Sequence, residues 1–171
     1  IRLENGEILR PAQVISTCGV RETEQLLQGA PLNRLAAEEG RFSIVESILA
    51  FEGCPRDLGW EETVVFFNQT ERFTYDCPED LVDLSSGVVC LPDNYGPGRI
   101  SRESKLRATH PANFSRWASL AQDEYAGEKA RWEKLILENA LAYLPGGPQK
   151  SAEIHERRVL TDTFTPTTIR R

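Results

Sequence analysis

Two histidines, four cysteines and a few clustered acids are the side chains of this sequence best equipped for chemistry. His110 stands beside Pro111 at the end of a strand-like run, where an imidazole can serve as acid or base; the bland role for a lone histidine is structural hydrogen bonding. His155 lies among Glu153, Glu156, Arg157 and Arg158 and reads as part of a solvated face. Glu61 and Glu62 are adjacent, so on a strand they point to opposite faces and read as exposed charge. Asp93, Asn94 and Tyr95 sit in a Gly- and Pro-rich loop, and their types suit a ligand contact and a turn equally well. Cys18, Cys54, Cys77 and Cys90 are widely spaced, with no C-x-x-C pair and no histidine nearby. That spacing indicates neither a zinc site nor a disulfide framework, so no metal is expected and the thiols read as small, semi-buried side chains in a reducing compartment. The sequence contains no G-x-G-x-x-G, G-x-x-x-x-G-K-[ST], H-E-x-x-H or G-x-S-x-G. The residues therefore point to a domain without a self-contained active site.

Composition narrows the partners. Twenty basic against 26 acidic residues among 171 give a net charge of -6, which creates no field for nucleic acid or anionic lipid. The best apolar runs, Ser43 to Phe51 and Thr63 to Phe67, fall far short of the roughly 20 residues that cross a bilayer. No secretory n-region and h-region precede them, so the chain reads as soluble, with one domain as the prior for its length.

The elements that would position these residues are legible in outline. Ile1 to Leu3 and Glu7 to Leu9 flank an Asn5-Gly6 turn, predicting a hairpin, with a third strand over Gln13 to Thr17. After Gly19, "RETEQLLQG" predicts a short helix stopped at Gly29, and "APLNRLAAEEG" a turn-rich or helical stretch. "RFSIVESILAFEG" and "ETVVFFNQ" have the β-branched and aromatic content of strands, joined by a loop or single turn at "CPRDLGW". In the first, Ser43, Val45, Ser47 and Leu49 share one face and Ile44, Glu46, Ile48 and Ala50 the other. Neither face is cleanly apolar, which predicts a strand lining a cavity or an interface. Gly87 to Leu91 reads as a buried strand, and "KLRATH" as another that ends at Pro111. A helix at "ANFSRWASL" leads into a longer one from about Asp123 to Leu144, whose Tyr125, Trp132, Ile136, Ala140 and Tyr143 mark one apolar face. Pro145-Gly146-Gly147 ends it, and "AEIHERRVLTDTF" is predicted to return as a strand. The fold class is α+β, with a mixed, largely antiparallel sheet covered by helices.

At the end, Thr165 suits an N-cap and Pro166 the first helical position, so "TPTTIRR" reads as a helix start. The chain opens on Ile1 and contains no Met. Together these features predict the interior of a larger protein.

In order, the segments resemble FAD-dependent oxidoreductases of the phytoene desaturase, carotenoid isomerase and retinol saturase group. "NGEILRPAQVISTCGVRETEQLL" is similar to the family's glycine, A-D-x-V-[IV]-S-x-x-G and T-x-x-L-L helix, with Ala12 in place of the usual Asp and Cys18 where a small apolar residue is usual. "VVCLPDNYGPG" and the segment from Leu106 to Gly146, with Tyr125 and Lys129 in Y-x-x-x-K spacing, look like its strand, asparagine-bearing segment and long helix. "DTFTPTTIRR" resembles its T-P-x-T-[IF]-x-R motif.

The resemblance implies a fragment of a two-domain flavoprotein. Residues 1–29 would join the flavin-binding part, 30–164 would form the substrate-binding domain, and 165–171 would begin a helix leading back to the flavin. Thr17, Cys18, Gly19, Thr165 and Pro166 would lie next to FAD. Ile48, Phe66, Asn94, Tyr95 and His110 would meet a lipophilic isoprenoid or carotenoid-like substrate, with Ile44 and Phe67 as further apolar wall; packing against the long helix is the other role for these apolar residues. The family's dinucleotide fingerprint and glycine-rich flavin segment are absent from the chain, so FAD and redox or isomerisation activity are expected of the parent protein alone. The implied setting is cytoplasmic, with peripheral membrane association and no nucleic acid. No catalytic residue is assigned within the chain. A non-enzymatic module that binds a hydrophobic ligand or a protein is the alternative.

Overall fold

A computed structural model describes residues 1–27, 42–96 and 102–168. The chain divides into two compact units, Ile1–Gly40 and Arg41–Arg171.

In the first unit, Gly6 takes φ 85°, and the Asn5-Gly6 turn is closed by Leu3 N donating to Glu7 O at 2.9 Å and Leu9 N to Ile1 O at 2.8 Å. Only one β-bridge, Arg2 to Ile8, follows from it, so the predicted hairpin is a turn with a single rung. The strand predicted over Gln13 to Thr17 does not form. Strand propensity expresses itself only against a neighbour, and among the described residues nothing pairs with this segment. Helix α1, Val20–Leu26, follows as expected. Gly29 and the "APLNRLAAEEG" stretch lie outside the described residues.

The second unit is an α+β fold around a five-stranded sheet. Its strands are β1 (Ser43–Glu52), β2 (Val64–Asn68), β3 (Ser86–Cys90), β4 (Glu103–Ala112) and β5 (Arg158–Phe164), in the order β2-β3-β4-β1-β5, and every pairing is antiparallel. The helices are α2 (Phe114–Ser119), α3 (Gln122–Ala142) and α4 (Ser151–Glu156). Asn113 caps α2 by accepting Arg116 N at 3.0 Å.

Alternation along the strands divides the sheet into two faces. Val45, Ser47, Leu49 and Phe51 of β1 point into the core beside their β4 partners His110, Ala108, Leu106 and Ser104. Val89 and Phe67 extend that face across β3 and β2. Trp132, Ile136 and Ala140, four residues apart on α3, are the buried seam that covers it. Tyr143 stacks on Phe67 with ring centroids 3.8 Å apart. The two most enclosed indoles are tethered by their polar ends, Trp60 Nε1 to Pro145 O at 3.1 Å and Trp117 Nε1 to Leu81 O at 3.0 Å.

Two predicted boundaries are corrected. The segment from Ala152 to Phe164 is not one strand: Ser151–Glu156 is helix α4, and β5 begins at Arg158. Ile154, counted as strand content, is the buried anchor of that helix, while Val159 and Leu160 are exposed. With a single inward apolar residue, α4 carries too little pattern to announce its period. Strand β4 does not stop at Pro111 but runs through it to Ala112. Pro111 O accepts Asp83 N at 3.0 Å, so the side of Pro111 that lacks an amide hydrogen faces away from β1. There the β3 pairing has already ended, at Val88 against Thr109.

Gly87 shows how tightly the core face is filled. A Cβ there would come within 2.6 Å of Thr109 O, 2.9 Å of Phe67 Cζ and 3.0 Å of His110 Nδ1. Gly127, inside α3, has nothing within 4 Å of the same position. Gly87→Ala should therefore lower stability by about 1–3 kcal/mol, and Gly127→Ala should raise it by about 0.5–1 kcal/mol. Urea midpoints at constant slope measure both, and equal effects of the two changes would contradict this packing.

Candidate functional site

The register that buries one face of the sheet leaves the other largely exposed among the described residues. Ile44 and Ile48 of β1, Val88 and Cys90 of β3, Val64 and Phe66 of β2, and Leu160 and Phe164 of β5 share this second face. Phe66 is 81% exposed, Leu160 60%, Ile44 49% and Phe164 43%. Singly exposed apolar side chains are ordinary, but a set shared by one continuous sheet face is not.

The middle of the face is polar. Arg107 grips Glu46 with both arms, Nε to Oε1 at 2.9 Å and Nη2 to Oε2 at 3.0 Å, and Thr109 Oγ1 donates to the same carboxylate at 3.3 Å. Glu46 and Arg107 come from neighbouring strands and are staggered by one pair, so the fork closes diagonally. Partly exposed, the pair contributes at most about 1 kcal/mol to stability. What it does locally is neutralise two charges between the apolar side chains of this face, which also carries Lys105 of β4 and Asp162 of β5. Burial pushes the nearby Cys90 thiol up from its ordinary value, and Arg107 only partly offsets this.

Of the residues expected to meet substrate, Ile48 and Phe66 lie on this face, on β1 and β2 with β4 and β3 between them. Ile44 joins them, whereas Phe67 points to the core and stacks on Tyr143. Asn94 and His110 are placed elsewhere. Asn94 is buried in a 3-10 turn, Pro92–Asn94, and its Nδ2 donates to Trp60 O at 2.8 Å and Glu62 O at 2.9 Å, so it ties two loops together. Tyr95, at the end of that turn, is 67% exposed. His110 is 1% exposed on the core face, with Nδ1 3.0 Å from Ser86 O and its ring edge-on to Phe67 at 5.5 Å. Glu46, Arg107 and Thr109 are the site residues that sequence reasoning did not single out. Their signal is the position of Glu46 between Ile44 and Ile48, which names a face but not the strand opposite.

The residues expected next to FAD are divided between the two units. Thr165 is 1% exposed, and its hydroxyl is already engaged, 2.7 Å from Tyr125 Oη and 3.1 Å from Thr167 Oγ1. Thr168 N donates to Thr165 O, and Thr168 Oγ1 accepts Thr165 N, closing a turn around Pro166; residues 169–171, where a helix would continue, lie outside the described residues. Burial raises the Tyr125 phenol, but hydrogen bonds from Thr165, Thr167 and Thr168, with Lys129 beside them, prevail and lower it. In the other unit Cys18 is exposed, with Ser16 Oγ 3.1 Å from its sulfur. That contact, then Thr23, lowers the thiol below its ordinary value. Gly19, with φ 98°, serves as the N-cap of α1. Thr165, Cys18 and Gly19 are thus engaged in local structure, and no step is assigned through a flavin here. Among the described residues no three His, Cys, Asp or Glu side chains converge on a metal site. No described helix is long and apolar enough to cross a membrane.

His110 generates a pH test. Burial lowers its pKa more than the carbonyls of Ser86 and Asp83 raise it. The unfolded chain therefore binds a proton more readily than the fold does, so stability is full above the ordinary value of about 6.5 and is lost as pH falls toward the lower folded value. The urea midpoint should drop between about pH 7 and pH 5, and His110→Asn should flatten that drop. An unchanged profile in the variant would move the pH dependence to other groups. Comparisons with protein-family models, with curated proteins and with solved structures gave no match.

Proposed function

We propose that this chain is the substrate-side part of an FAD-dependent oxidoreductase similar to the phytoene desaturase, carotenoid isomerase and retinol saturase group. In this reading the exposed sheet face holds a lipophilic isoprenoid substrate. The observation that carries it is the single face shared by Ile44, Ile48 and Phe66, with apolar flanks on either side of a neutralised ion pair. Five strands at about 4.8 Å spacing make it roughly 19 Å across. Such a surface suits a long, thin ligand better than a compact one. The collinear resemblance of the sequence to that family gives independent support.

The division of labour follows from the chemistry. FAD, held by segments outside this chain, would supply the desaturation, saturation or isomerisation chemistry, and the residues here would bind the substrate, orient it and exclude water. Peripheral membrane association belongs to the same reading, because the substrate is lipophilic. A second reading, a non-enzymatic module for a hydrophobic ligand or a protein, is favoured by the ionic centre of the face, since protein interfaces mix apolar and charged groups in this way.

The full protein encoded around this chain should purify yellow and release FAD on denaturation. Phe66→Asp should lower kcat/KM for a polyene substrate about ten- to a hundredfold, the range expected for losing one buried aromatic contact, with flavin content unchanged. A colourless protein that takes up no added FAD would overturn the enzyme reading. Unaltered turnover in Phe66→Asp, with the flavin in place, would instead remove the exposed face from the substrate site.

A further inference from the structure

On the other side of the sheet, α3, α4, β5 and β1 enclose a pocket of about 180 Å³. Leu49, Leu137, Leu141 and Ile154 give it an apolar floor, and Leu49, Leu141 and Ile154 are each at most 5% exposed. Those side chains belong to the core cluster, so the floor is already built. Leu49 and its β5 partner Thr161 are on the core face, which separates this pocket from the surface discussed above.

With the imidazole neutral, Glu133 and Glu138 balance Lys134 and Arg158 around the mouth, but among the described residues only Lys134 and Glu138 pair with each other. Glu133 accepts Thr163 Oγ1 at 3.0 Å, and Glu138 faces Lys134 at 3.9 Å. Arg158 and His155 complete the mouth, and among the described residues neither has an ion-pair partner. The groups free to donate hydrogen bonds are therefore a guanidinium, an imidazole and the Ser151 hydroxyl, and they share the mouth with Glu133, which accepts the Thr163 hydroxyl and has no ion-pair partner among the described residues.

We propose that this pocket binds a small aromatic or branched-chain monocarboxylate. The volume sets the apolar part: an apolar cavity of about 150 Å³ takes benzene, so this one holds a single ring or a short branched group and excludes a long acyl chain. Arg158 sets the head group, because its planar fork matches a carboxylate and carries no partner that must first be displaced. The proposal rests on neither FAD nor the exposed face, so it stands or falls separately from the reading above.

The experiment is an amide chemical-shift titration of the chain with phenylacetate, with 2-phenylethanol and phenethylamine as neutral and cationic controls. Phenylacetate should shift the amides of Ser151, His155, Arg158 and Thr161 saturably, with a Kd of about 1 mM. 2-Phenylethanol should bind about tenfold more weakly and phenethylamine more weakly still. Arg158→Gln, at an exposed position outside the core, should weaken phenylacetate about tenfold with the spectrum otherwise preserved. Absence of saturable shifts at those amides would overturn the proposal. Equal binding of acid and amine, or an Arg158→Gln affinity equal to that of the parent, would overturn it as well.

Discussion

The pairing of β1 with β4 runs unbroken from Ser43 opposite Ala112 to Glu52 opposite Glu103, and both faces of the sheet depend on it. A slip of one residue would turn Val45, Leu49 and Phe51 out to solvent and bring Glu46 into the core. A contact on each face holds β1 in place: on one side Arg107 and Thr109 reach Glu46 and fix the register with β4, and on the other Ser47 Oγ, 2.8 Å from Thr163 Oγ1, fixes the register with β5. Each is modest in energy, about 1 kcal/mol or less, but each fails in any other register, so their larger contribution is to specificity.

The Ser47 contact continues outward. Thr163 Oγ1 also donates to Glu133 of α3, and along the same helix Lys129 meets Asp162 at 2.9 Å while Tyr125 meets Thr165 at 2.7 Å. Tyr125, Lys129 and Glu133 are four residues apart, so a polar row on α3 engages β5 beside the apolar seam of Trp132, Ile136 and Ala140 that meets the core. Lys129, hydrogen bonded to Asp162, holds that carboxyl below the usual carboxylate range. Strand β5 is an edge of the sheet, and these side-chain bonds tie it to α3. The row explains how a strand with one fully buried residue, Thr163, stays in place.

The parts of this architecture that were legible in the sequence are those with a strong local pattern. Ser43 to Glu52 gathers Ile44, Val45, Ile48, Leu49 and Phe51 within ten residues, and α3 repeats its seam over several turns, so each could be recognised without knowing its neighbours. The α+β class followed from them. Register is a property of two segments and has no local signature. For that reason Ile44, Glu46, Ile48 and Ala50 were recognisable as one face, while Arg107 and Thr109 opposite them were not. His110 and Asn94 show a related ambiguity: their chemistry is what a binding site uses, and here His110 Nδ1 and Asn94 Nδ2 engage internal partners, Ser86, Trp60 and Glu62. Gln13 to Thr17 had strand-forming residues and no partner among the described residues, and Ala152 to Glu156 had helix-forming residues with one apolar anchor. In both, tertiary context decided what propensity left open.

The ionic centre of the exposed face constrains what can lie on it. A pure hydrocarbon laid across Glu46 and Arg107 would strip water from both charges, and even a bidentate pair recovers only part of that desolvation cost in a low-dielectric setting. The apolar flanks at Phe66 and Ile44 gain from the same contact. A ligand that satisfies both places its hydrophobic length over the flanks and a hydroxyl or carbonyl near Arg107, Glu46 and Thr109. Such a polar group replaces lost water with hydrogen bonds, and an analogue without it leaves the ion pair buried and under-solvated. The face should therefore discriminate among lipophilic molecules by the position of one polar group along the chain, more sharply than by the length of the chain itself.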